Sequence, residues 1–343
     1  MQSMLAKVYR RLYLAVNYRM RVAFAGRLAH LCRPTSIAIL LTKRCNARCI
    51  HCDIWKTGRS NDDLTLKDYG TFLSDLRAWL GPVHVSFTGG EALLNPLALD
   101  VCAIASRLGL YTELLTNGYC KDEWAAKELV RAGVSQVTVS LDAIGATHST
   151  IRGRNDFWEV TARFLERLKQ ARDAKGAGLR ILLKTVIMRQ NVHEVTEVAR
   201  FARVNRMVVR YQPVEQNYDS PDDPGWFEHA VTWPKNPDDA VAVVERLAAM
   251  TREGFPIENS PSDFNAMRSY FANPRFNMVA VQSHMAHEQR PYCSALGNLQ
   301  IEPNGDVGTC FRKPSIGNVT TASIRNIWRH RPRWWEAGCC HEQ

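Results

Sequence analysis

Three cysteines lie close together near residue 50, and thiols at such spacing are typical ligands of metals and iron–sulfur clusters. Cys45, Cys49 and Cys52 follow the pattern C-x3-C-x2-C in the segment TKRCNARCIHCDIW. A structural zinc site takes four ligands, and His51, placed between two of the thiols, would give a strained tetrahedron. A [4Fe–4S] cluster is held by thiolates, and three of them leave one iron open to a ligand that is not protein. The spacing therefore favours a cluster with an open iron over zinc.

A second group of cysteines lies in the C-terminal part of the chain: Cys293, Cys310, Cys339 and Cys340. The first two flank QIEPNGDVGTC, whose Asn304-Gly305 pair is a strong hairpin signal. Grouped cysteines in a long chain indicate metal sites in a reducing compartment, not a small disulfide scaffold. The isolated Cys32 and Cys102 are predicted to be buried apolar fillers.

The elements that must position these residues follow from hydrophobic periodicity. Apolar, β-branched runs predict six strands, over residues 36–41, 83–88, 111–115, 136–141, 180–188 and 206–213. Helical patterns lie between them, near residues 65–80, 97–108, 121–132, 157–174 and 192–204, with Thr65, Asp122 and Asn191 as candidate N-caps. Six strand–helix units in a row predict an α/β fold with a parallel sheet, either open or curled into a partial (β/α)6 TIM-like barrel. Cys45 then follows the first strand, at the face where catalytic groups collect.

The predicted elements divide the chain into four parts. These are a basic amphipathic segment (1–35), the barrel (36–215), a helical linker region (216–290) and a small hairpin-plus-helix domain (291–343). Within the linker region, helices are predicted over 237–253 and 261–272.

The C-x3-C-x2-C pattern resembles the signature of the radical S-adenosylmethionine (SAM) superfamily. In that family the open iron chelates the amino and carboxylate groups of SAM. One electron from the cluster cleaves SAM to methionine and a 5′-deoxyadenosyl radical, which abstracts a substrate hydrogen. The segment FTGGEAL resembles the family's Gly-Gly-Glu motif at the end of the second strand. The resemblance implies that Gly89 and Gly90 let backbone approach the methionine amino group and that Glu91 helps to neutralise it.

Further SAM contacts are implied by segments that resemble later parts of the family barrel: LLTNG, VSLDA and HSTIRG, at residues 114–118, 139–143 and 148–153. They implicate Asn117, Ser140 (through ribose or carboxylate) and Arg152 (facing the SAM carboxylate). His51 stands where many members carry an aromatic residue beside the adenine. An ordinary turn at Asn117 and a surface ion pair at Arg152 are the alternative interpretations.

The C-terminal cysteines resemble those of the extensions called SPASM and twitch, which hold auxiliary [4Fe–4S] clusters. The segments CSALGNLQIEPNGDVGTC, IGNV and IRNIW carry this resemblance. A full SPASM domain has more cysteines, enough for two clusters, so we predict one auxiliary cluster. Its ligands would be Cys293, Cys310 and one of the adjacent Cys339 and Cys340, with His341 or an external group as the fourth.

Two reaction classes are open. In an oxidation of a small polar, sugar-like or lipid-linked substrate, the auxiliary cluster accepts an electron and a base removes a proton. In an epimerisation, Cys120, just past the third strand, returns a hydrogen atom; a loop cysteine without a role is the alternative. Candidates to orient the substrate, contact the cofactor or act as the base follow the sixth strand: Arg210, Tyr211, Gln212 and Glu215.

Other functions and partners are also compatible with the sequence. The enzyme would need a reducing electron donor of the flavodoxin or ferredoxin type. Only 35 residues precede the first strand, so no built-in peptide-docking domain is expected, and a ribosomal peptide substrate would need a separate partner. From another class, an iron–sulfur electron-transfer or redox-sensing protein without SAM chemistry is the alternative.

The excess positive charge lies at the front of the chain. Of the net charge of +10, all comes from residues 1–52, which hold ten Lys or Arg and no Asp or Glu. Apolar residues recur at three- to four-residue steps over 4–31, which predicts an amphipathic helix with a cationic face. It would contact an anionic membrane surface or pack on the outside of the barrel. Aromatic residues for base stacking are sparse, so no nucleic acid is expected. No apolar stretch approaches the ~20 residues that a membrane-spanning helix needs, and no secretory signal is recognised. The expected location is therefore cytoplasmic or membrane-peripheral.

Overall fold

The computed structural model describes residues 4–22, 29–57, 64–174, 176, 178–217, 220–221, 223–274, 294–310 and 313–334. Its strands form one sheet in the order β6-β5-β4-β3-β2-β1-β7-β8-β9. The strands are β1 (Ser36–Leu40), β2 (His84–Thr88), β3 (Tyr111–Thr116), β4 (Gln136–Ser140), β5 (Arg180–Ile187), β6 (Val208–Pro213), β7 (Asn298–Ile301), β8 (Asp306–Gly308) and β9 (Gly317–Asn318). Strands β1 to β6 pair in parallel with their chain neighbours. This confirms the predicted partial barrel, which stays open.

The described residues form eleven α-helices. They are α1 (Met4–Val22), α2 (Leu66–Leu80), α3 (Ala98–Arg107), α4 (Ala125–Arg131), α5 (Ala146–Arg152), α6 (Phe157–Ala174), α7 (Val195–Val204), α8 (Trp226–His229), α9 (Pro237–Arg252), α10 (Pro261–Ala272) and α11 (Ile324–Arg329). Thr65 caps α2 as predicted, and Asp68 completes a capping box. The predicted caps at Asp122 and Asn191 are wrong, because α4 and α7 begin three or more residues later, after Trp124 and Glu194.

The C-terminal hairpin belongs to the same sheet as the barrel. Strand β7 pairs in parallel with β1, with Ile37 opposite Leu299, and turns back into the antiparallel β8. Gly305 has φ +89° in this turn, as the hairpin signal required. The buried Trp328 of α11 donates from its indole nitrogen to the Cys32 carbonyl at 2.8 Å. Because β1 and β7 pair in one sheet, the predicted boundary at 291 does not separate two sheets. The pairing also covers the edge that β1 would otherwise expose.

The two faces of the curved sheet differ in polarity, and this difference positions the site. Most side chains that face the helices are apolar, as for Val85 and Phe87, which are fully buried. The inner face instead carries an interacting polar set around the Glu113 carboxylate, which accepts from Ser86 at 2.7 Å and from Gln136 at 2.8 Å. The inner face of the barrel thus carries polar side chains that bind one another.

Helix α1 lies against the outside of the barrel along one face. Tyr9 and Tyr13 donate their hydroxyls to the carbonyls of Leu80 and Pro34, both at 2.6 Å. The described part of the predicted helix covers Met4–Val22, residues 23–28 of that prediction lie outside the described residues, and Ala29–Leu31 form a short 3-10 helix. Among the residues that the structure describes, no helix is long and apolar enough to cross a membrane.

Candidate active site

The segment with the three thiols (residues 41–57, the cysteine loop) leaves β1 at the carboxyl end of the sheet. Cys49 is buried, and Cys45 and Cys52 are half-buried. The loop is tied across the barrel mouth to the end of α5: the amides of Arg48 and Ile50 donate to the carbonyls of Arg152 and Ile151 at 3.0 and 3.1 Å. The cysteine loop is therefore held by backbone at both its start and its middle.

The Gly-Gly turn after β2 lies directly on the start of the cysteine loop. The amides of Gly90 and Glu91 donate to the carbonyls of Thr42 and Arg44, both at 2.8 Å. A Cβ atom at Gly89 would lie 2.3 Å from the Thr42 oxygen, and one at Gly90 would lie 2.4 Å from the Arg44 oxygen. Both positions exclude any side chain, so the glycines permit this close packing of two loops. From the sequence, Gly89 and Gly90 were expected only to let the backbone approach a ligand.

Glu91 is a buried carboxylate that links the ends of two strands. It accepts from the Leu93 amide, the Thr116 hydroxyl at 2.8 Å and the Asn117 amide at 2.7 Å. No cation among the described residues forms an ion pair with it, and burial raises the pKa of its carboxyl. A buried carboxylate is stabilised by a positive charge, so the ammonium group of SAM fits the chemistry of this site.

Asn117 supports the cysteine loop directly. Its amide nitrogen donates to Asn46 Oδ1 at 2.7 Å and points to Cys45 Sγ at 3.8 Å. Its Oδ1 accepts from the Tyr119 amide at 2.8 Å. An ordinary turn at Asn117 would not explain these contacts with the cysteine loop.

Arg152 lies behind the cysteine loop, where it pairs with a carboxylate that the sequence had not indicated. Its Nη2 is 2.7 Å from Asp142 Oδ2, and its Nη1 is 3.6 Å from Cys49 Sγ. The two side chains are 7% and 0% exposed, so a surface ion pair is excluded. Burial alone would raise the pKa of the Asp142 carboxyl, but Arg152 holds that pKa below its ordinary value.

The three thiols fit an iron–sulfur cluster better than a single ion. Among the described residues, no three His, Cys, Asp or Glu side chains converge closely enough to hold one metal ion. In a cubane cluster each thiolate binds a different iron, so the thiols need not converge on one point. Burial raises the pKa of the Cys45 and Cys49 thiols, and that of Cys52 to about 11. Burial thus favours the protonated thiols, and binding of a cluster would convert them to thiolates.

His51 and Ser140 also lie at the mouth of the barrel. Burial lowers the pKa of the His51 imidazole to about 4, which keeps the ring neutral. Its Nδ1 has no hydrogen-bond partner among the residues that the structure describes. Ser140 is the last residue of β4 and stands in register with Lys184 of β5. Both stay candidates for contact with SAM.

The end of β6 separates the four predicted residues into two sets. Arg210 and Gln212 lie on the inner face, whereas Tyr211 alternates to the helix side. The Tyr211 hydroxyl donates to the Val195 carbonyl at 2.9 Å, and the side chain is 1% exposed. A catalytic role for Tyr211 is therefore not supported, because its hydroxyl is used in packing. Glu215 follows β6, and enclosure by the protein raises the pKa of its carboxyl while the Lys184 ammonium lowers it.

Cysteines outside the cysteine loop have distinct environments. Cys120 is half-buried, with its Sγ 3.9 Å from the Asp122 carbonyl, and burial raises the pKa of its thiol to about 11. Cys32 and Cys102 are fully buried, as predicted. Of the C-terminal group, Cys310 is half-buried beyond β8. The other predicted auxiliary ligands lie outside the described residues: Cys293, Cys339, Cys340 and His341.

Sequence reasoning missed several residues that organise the site. Asp142 stands within VSLDA, but an aspartate after a strand gave no reason to expect a buried ion pair with Arg152. Arg154 donates from Nε to the Asn46 carbonyl at 2.6 Å. Lys184 interrupts the apolar run RILLKTVIM, and a charge in a buried strand was the signal available for it.

Comparison with known proteins agrees with this geometry. The model of the radical SAM superfamily matches residues 39–202, and that of the iron–sulfur cluster-binding SPASM domain matches residues 293–335. The chain is 28% identical to an AdoMet-dependent heme synthase of Methanosarcina barkeri (strain Fusaro / DSM 804), over 87% of this chain and 82% of the relative. It is also 28% identical to a PqqA peptide cyclase of Streptomyces rochei, over 86% and 73%.

A Fe-coproporphyrin III synthase of the same Methanosarcina strain is 29% identical, but only over 46% of this chain and 38% of the relative's own length. Among solved structures, Streptococcus suis SuiB bound to S-adenosylmethionine superposes with a TM-score of 0.67 at 14% identity, covering 89% of this chain and 67% of SuiB. The enzyme anSMEcpe, solved with AdoMet and the Cp18Cys peptide, gives 0.59 at 16% identity, covering 89% of each chain. At these identities the structures establish the shared fold.

Proposed function

The chain belongs to the radical SAM superfamily and carries a SPASM domain, and from this premise we propose that it oxidises a small polar substrate held inside the partial barrel. The observation that carries the proposal is the contact between the cysteine loop and the Gly-Gly-Glu turn, which places Glu91 near Cys45, the first of the three thiols. When bound, the cluster supplies the electron that cleaves SAM to methionine and a 5′-deoxyadenosyl radical, which takes a hydrogen atom from the substrate.

The chain's own residues bind and orient the reacting groups. Glu91 would accept the SAM ammonium, and Arg152, beside Cys49, would face its carboxylate. Ser140 would contact the ribose or the carboxylate. The oxidation removes one further electron, which the SPASM cluster accepts when bound, and one proton. Glu215 is our candidate for the base, because a carboxyl with a raised pKa accepts a proton more readily near neutral pH.

The relatives act on two kinds of substrate by name, since they include heme synthases and PqqA peptide cyclases. The polar inner face of the barrel supports a small polar substrate. A peptide delivered by a separate partner is the alternative.

Binding of SAM separates this proposal from an electron-transfer protein. Calorimetry with anaerobically reconstituted protein should give one SAM per chain. Glu91→Gln should weaken SAM binding by about tenfold or more, since a charge-assisted contact contributes about 1.5–3 kcal/mol. Glu245→Gln, at an exposed site on α9, is the matched control and should bind as the wild type does. No SAM binding by the wild type would favour electron transfer or redox sensing.

Epimerisation is a second candidate, and the environment of Cys120 favours it. A thiol whose pKa is raised to about 11 stays protonated near neutral pH and retains the hydrogen atom that an epimerase must donate. Turnover in deuterated solvent decides between the two reactions. Solvent deuterium in the product that is lost in Cys120→Ser, with 5′-deoxyadenosine still formed, would establish epimerisation. A product free of solvent deuterium in both proteins would establish oxidation.

We further propose that α1 attaches the enzyme to an anionic membrane surface. Several of its apolar side chains are exposed, with Leu5 at 80%, Leu12 at 60% and Val16 at 53%. The charge fits anionic lipid, because residues 1–52 carry ten cations and no acid. Beneath α1 lies a cleft of about 740 Å³, lined in part by Arg77, Arg107 and Arg131.

Vesicles test this attachment. Wild type should co-sediment with phosphatidylserine vesicles at low salt and less at high salt. A variant with Leu5, Val8 and Leu12 all changed to Ser should lose most of this binding without unfolding, because the three side chains are exposed. Equal sedimentation of the two proteins would refute the proposal and leave α1 as a helix packed on the barrel.

A further inference from the structure

Two cations stand side by side on the inner face of the barrel. Lys184 of β5 is in register with Ser140 of β4 and with Arg210 of β6. Register partners in a parallel sheet point to the same face and lie about 4.8 Å apart. That face is the inner one, because Arg180, four residues before Lys184, donates to Gln136 of the inner polar set at 3.0 Å.

Neither cation has a partner among the described residues. No ion pair or hydrogen bond joins Lys184 or Arg210 to another side chain there. The charged groups that face Lys184 are Arg210, Arg152, Glu113 and Glu215. Glu113 is already saturated by His84, Ser86, Gln136 and Thr138. Glu215 is the remaining carboxylate, so the wall that β5 and β6 form keeps an excess of positive charge.

This arrangement costs free energy unless an anion enters. Two like charges on neighbouring strands repel, and enclosure strengthens the repulsion because the local dielectric is low. Enclosure also lowers the pKa of the Lys184 ammonium, with Arg210 adding to the effect. Polar groups kept in an unfavourable state at the mouth of a barrel are typical of a binding site.

We propose that Lys184 and Arg210 bind a carboxylate or phosphate group of the substrate. This inference rests on the proposed function and names the substrate class for the same site. The amino-acid part of SAM is expected at Glu91 and Arg152, beside the cysteine loop and on the β2 and α5 side of the mouth. Lys184 and Arg210 lie on the last two strands of the barrel, next to Ser140 and further from Glu91, and would bind the substrate's anionic group beside SAM. A carboxylate of SAM itself is the other source of the same chemistry.

Calorimetry with two simple anions tests the site without turnover. Anaerobically reconstituted, SAM-loaded protein is titrated with inorganic phosphate and, separately, with succinate. We expect one anion per chain, with affinity reduced about tenfold or more in Lys184→Met and in Arg210→Met. Arg210 is exposed to the cavity, so its variant should fold even if the Lys184 variant does not. Lys127→Met, an exposed lysine on α4 over the Trp124 ring, is the control and should bind as the wild type does.

Three results would overturn the inference: no stoichiometric binding of either anion, equal binding by the wild type and both variants, or anion binding by SAM-free protein that is lost when SAM is added. The last result would assign the two cations to SAM. Failure here is distinguishable from failure of the proposed function, because 5′-deoxyadenosine is formed with reductant and SAM, whereas the anion titration uses no reductant. Anion binding without SAM cleavage would leave the site in place and remove the proposed reaction.

Discussion

Asp142 and Arg152 form an ion pair of 2.7 Å in which both side chains are almost fully buried, directly behind Cys49. The pair joins the end of β4 to the end of α5, and Arg152 then extends to the Cys49 thiol at 3.6 Å. Asp142 Oδ1 also accepts from the Val186 amide at 3.0 Å. The buried Asp142 carboxylate thus orients Arg152 beside the cysteine loop.

Breaking this pair should destabilise the protein strongly. Asp142→Asn leaves the Arg152 charge buried without a partner, which costs about 3–5 kcal/mol in comparable sites. Urea unfolding of the metal-free protein should show this loss. The control Glu197→Gln removes an exposed ion pair with Arg200 and should cost less than about 1 kcal/mol. Similar losses in both variants would mean that the buried pair does not stabilise the fold.

The Gly-Gly turn should tolerate no side chain. Gly90→Ala places a Cβ 2.4 Å from the Arg44 carbonyl, so the two loops must separate, at a cost of about 1–3 kcal/mol. We expect less iron per chain after reconstitution. Gly70→Ala in α2 is the matched control, because nothing lies within 4 Å of its added Cβ, and it should stabilise by about 0.5–1 kcal/mol. Normal iron loading in Gly90→Ala would contradict the close packing of the loops.

Glu113 should make stability depend on acid pH. Burial alone would raise the pKa of its carboxyl, but His84 and the hydroxyl donors lower that pKa to about 2. Since the folded state binds this proton more weakly than the unfolded chain, the stabilisation is complete above about pH 4.5. It is lost as the pH falls towards 2. Glu113→Gln should cost about 2–3 kcal/mol at neutral pH and little near pH 2. A difference between the two proteins that does not change with pH would contradict this assignment.

Iron content should report the auxiliary cluster. Two clusters require about eight irons per chain. The variant with Cys45, Cys49 and Cys52 changed to Ala should retain about four irons and a cubane-type spectrum. Zinc and no iron in that variant would mean that the C-terminal cysteines hold a structural zinc site, and the electron-acceptor role would be lost with the cluster.

The barrel was predictable because its signal is local and repeated. Each strand is an apolar, β-branched run, and each agrees with the structure to within two residues. The pairing of β7 with β1 was not predictable, because it joins residues about 260 positions apart in the chain and no periodicity records such a contact. The start of α7 was mistaken for the same reason: Asn191 looks like a cap, but its side chain donates to the Asp142 carbonyl at 2.7 Å.

The site divides in the same way. The cysteines and Glu91 were predictable because their chemistry is written in residue type and spacing. Residues at a strand end point alternately to opposite faces of the sheet. The sequence did not show which residues of β6 point inward, so it did not show that Tyr211 points to the helices. Lys184 was overlooked because its significance depends on register with Arg210, which only the folded sheet supplies.

Formation of 5′-deoxyadenosine tests the central claim most directly. Anaerobically reconstituted wild type, given SAM and dithionite, should release 5′-deoxyadenosine. The control Cys102→Ala removes a buried thiol of α3 that is not part of the cysteine loop, and it should release 5′-deoxyadenosine as well. The variant with Cys45, Cys49 and Cys52 changed to Ala should release none above background while it keeps its auxiliary iron. Release by that variant at the wild-type rate would contradict the assignment of these three thiols to the cluster that cleaves SAM.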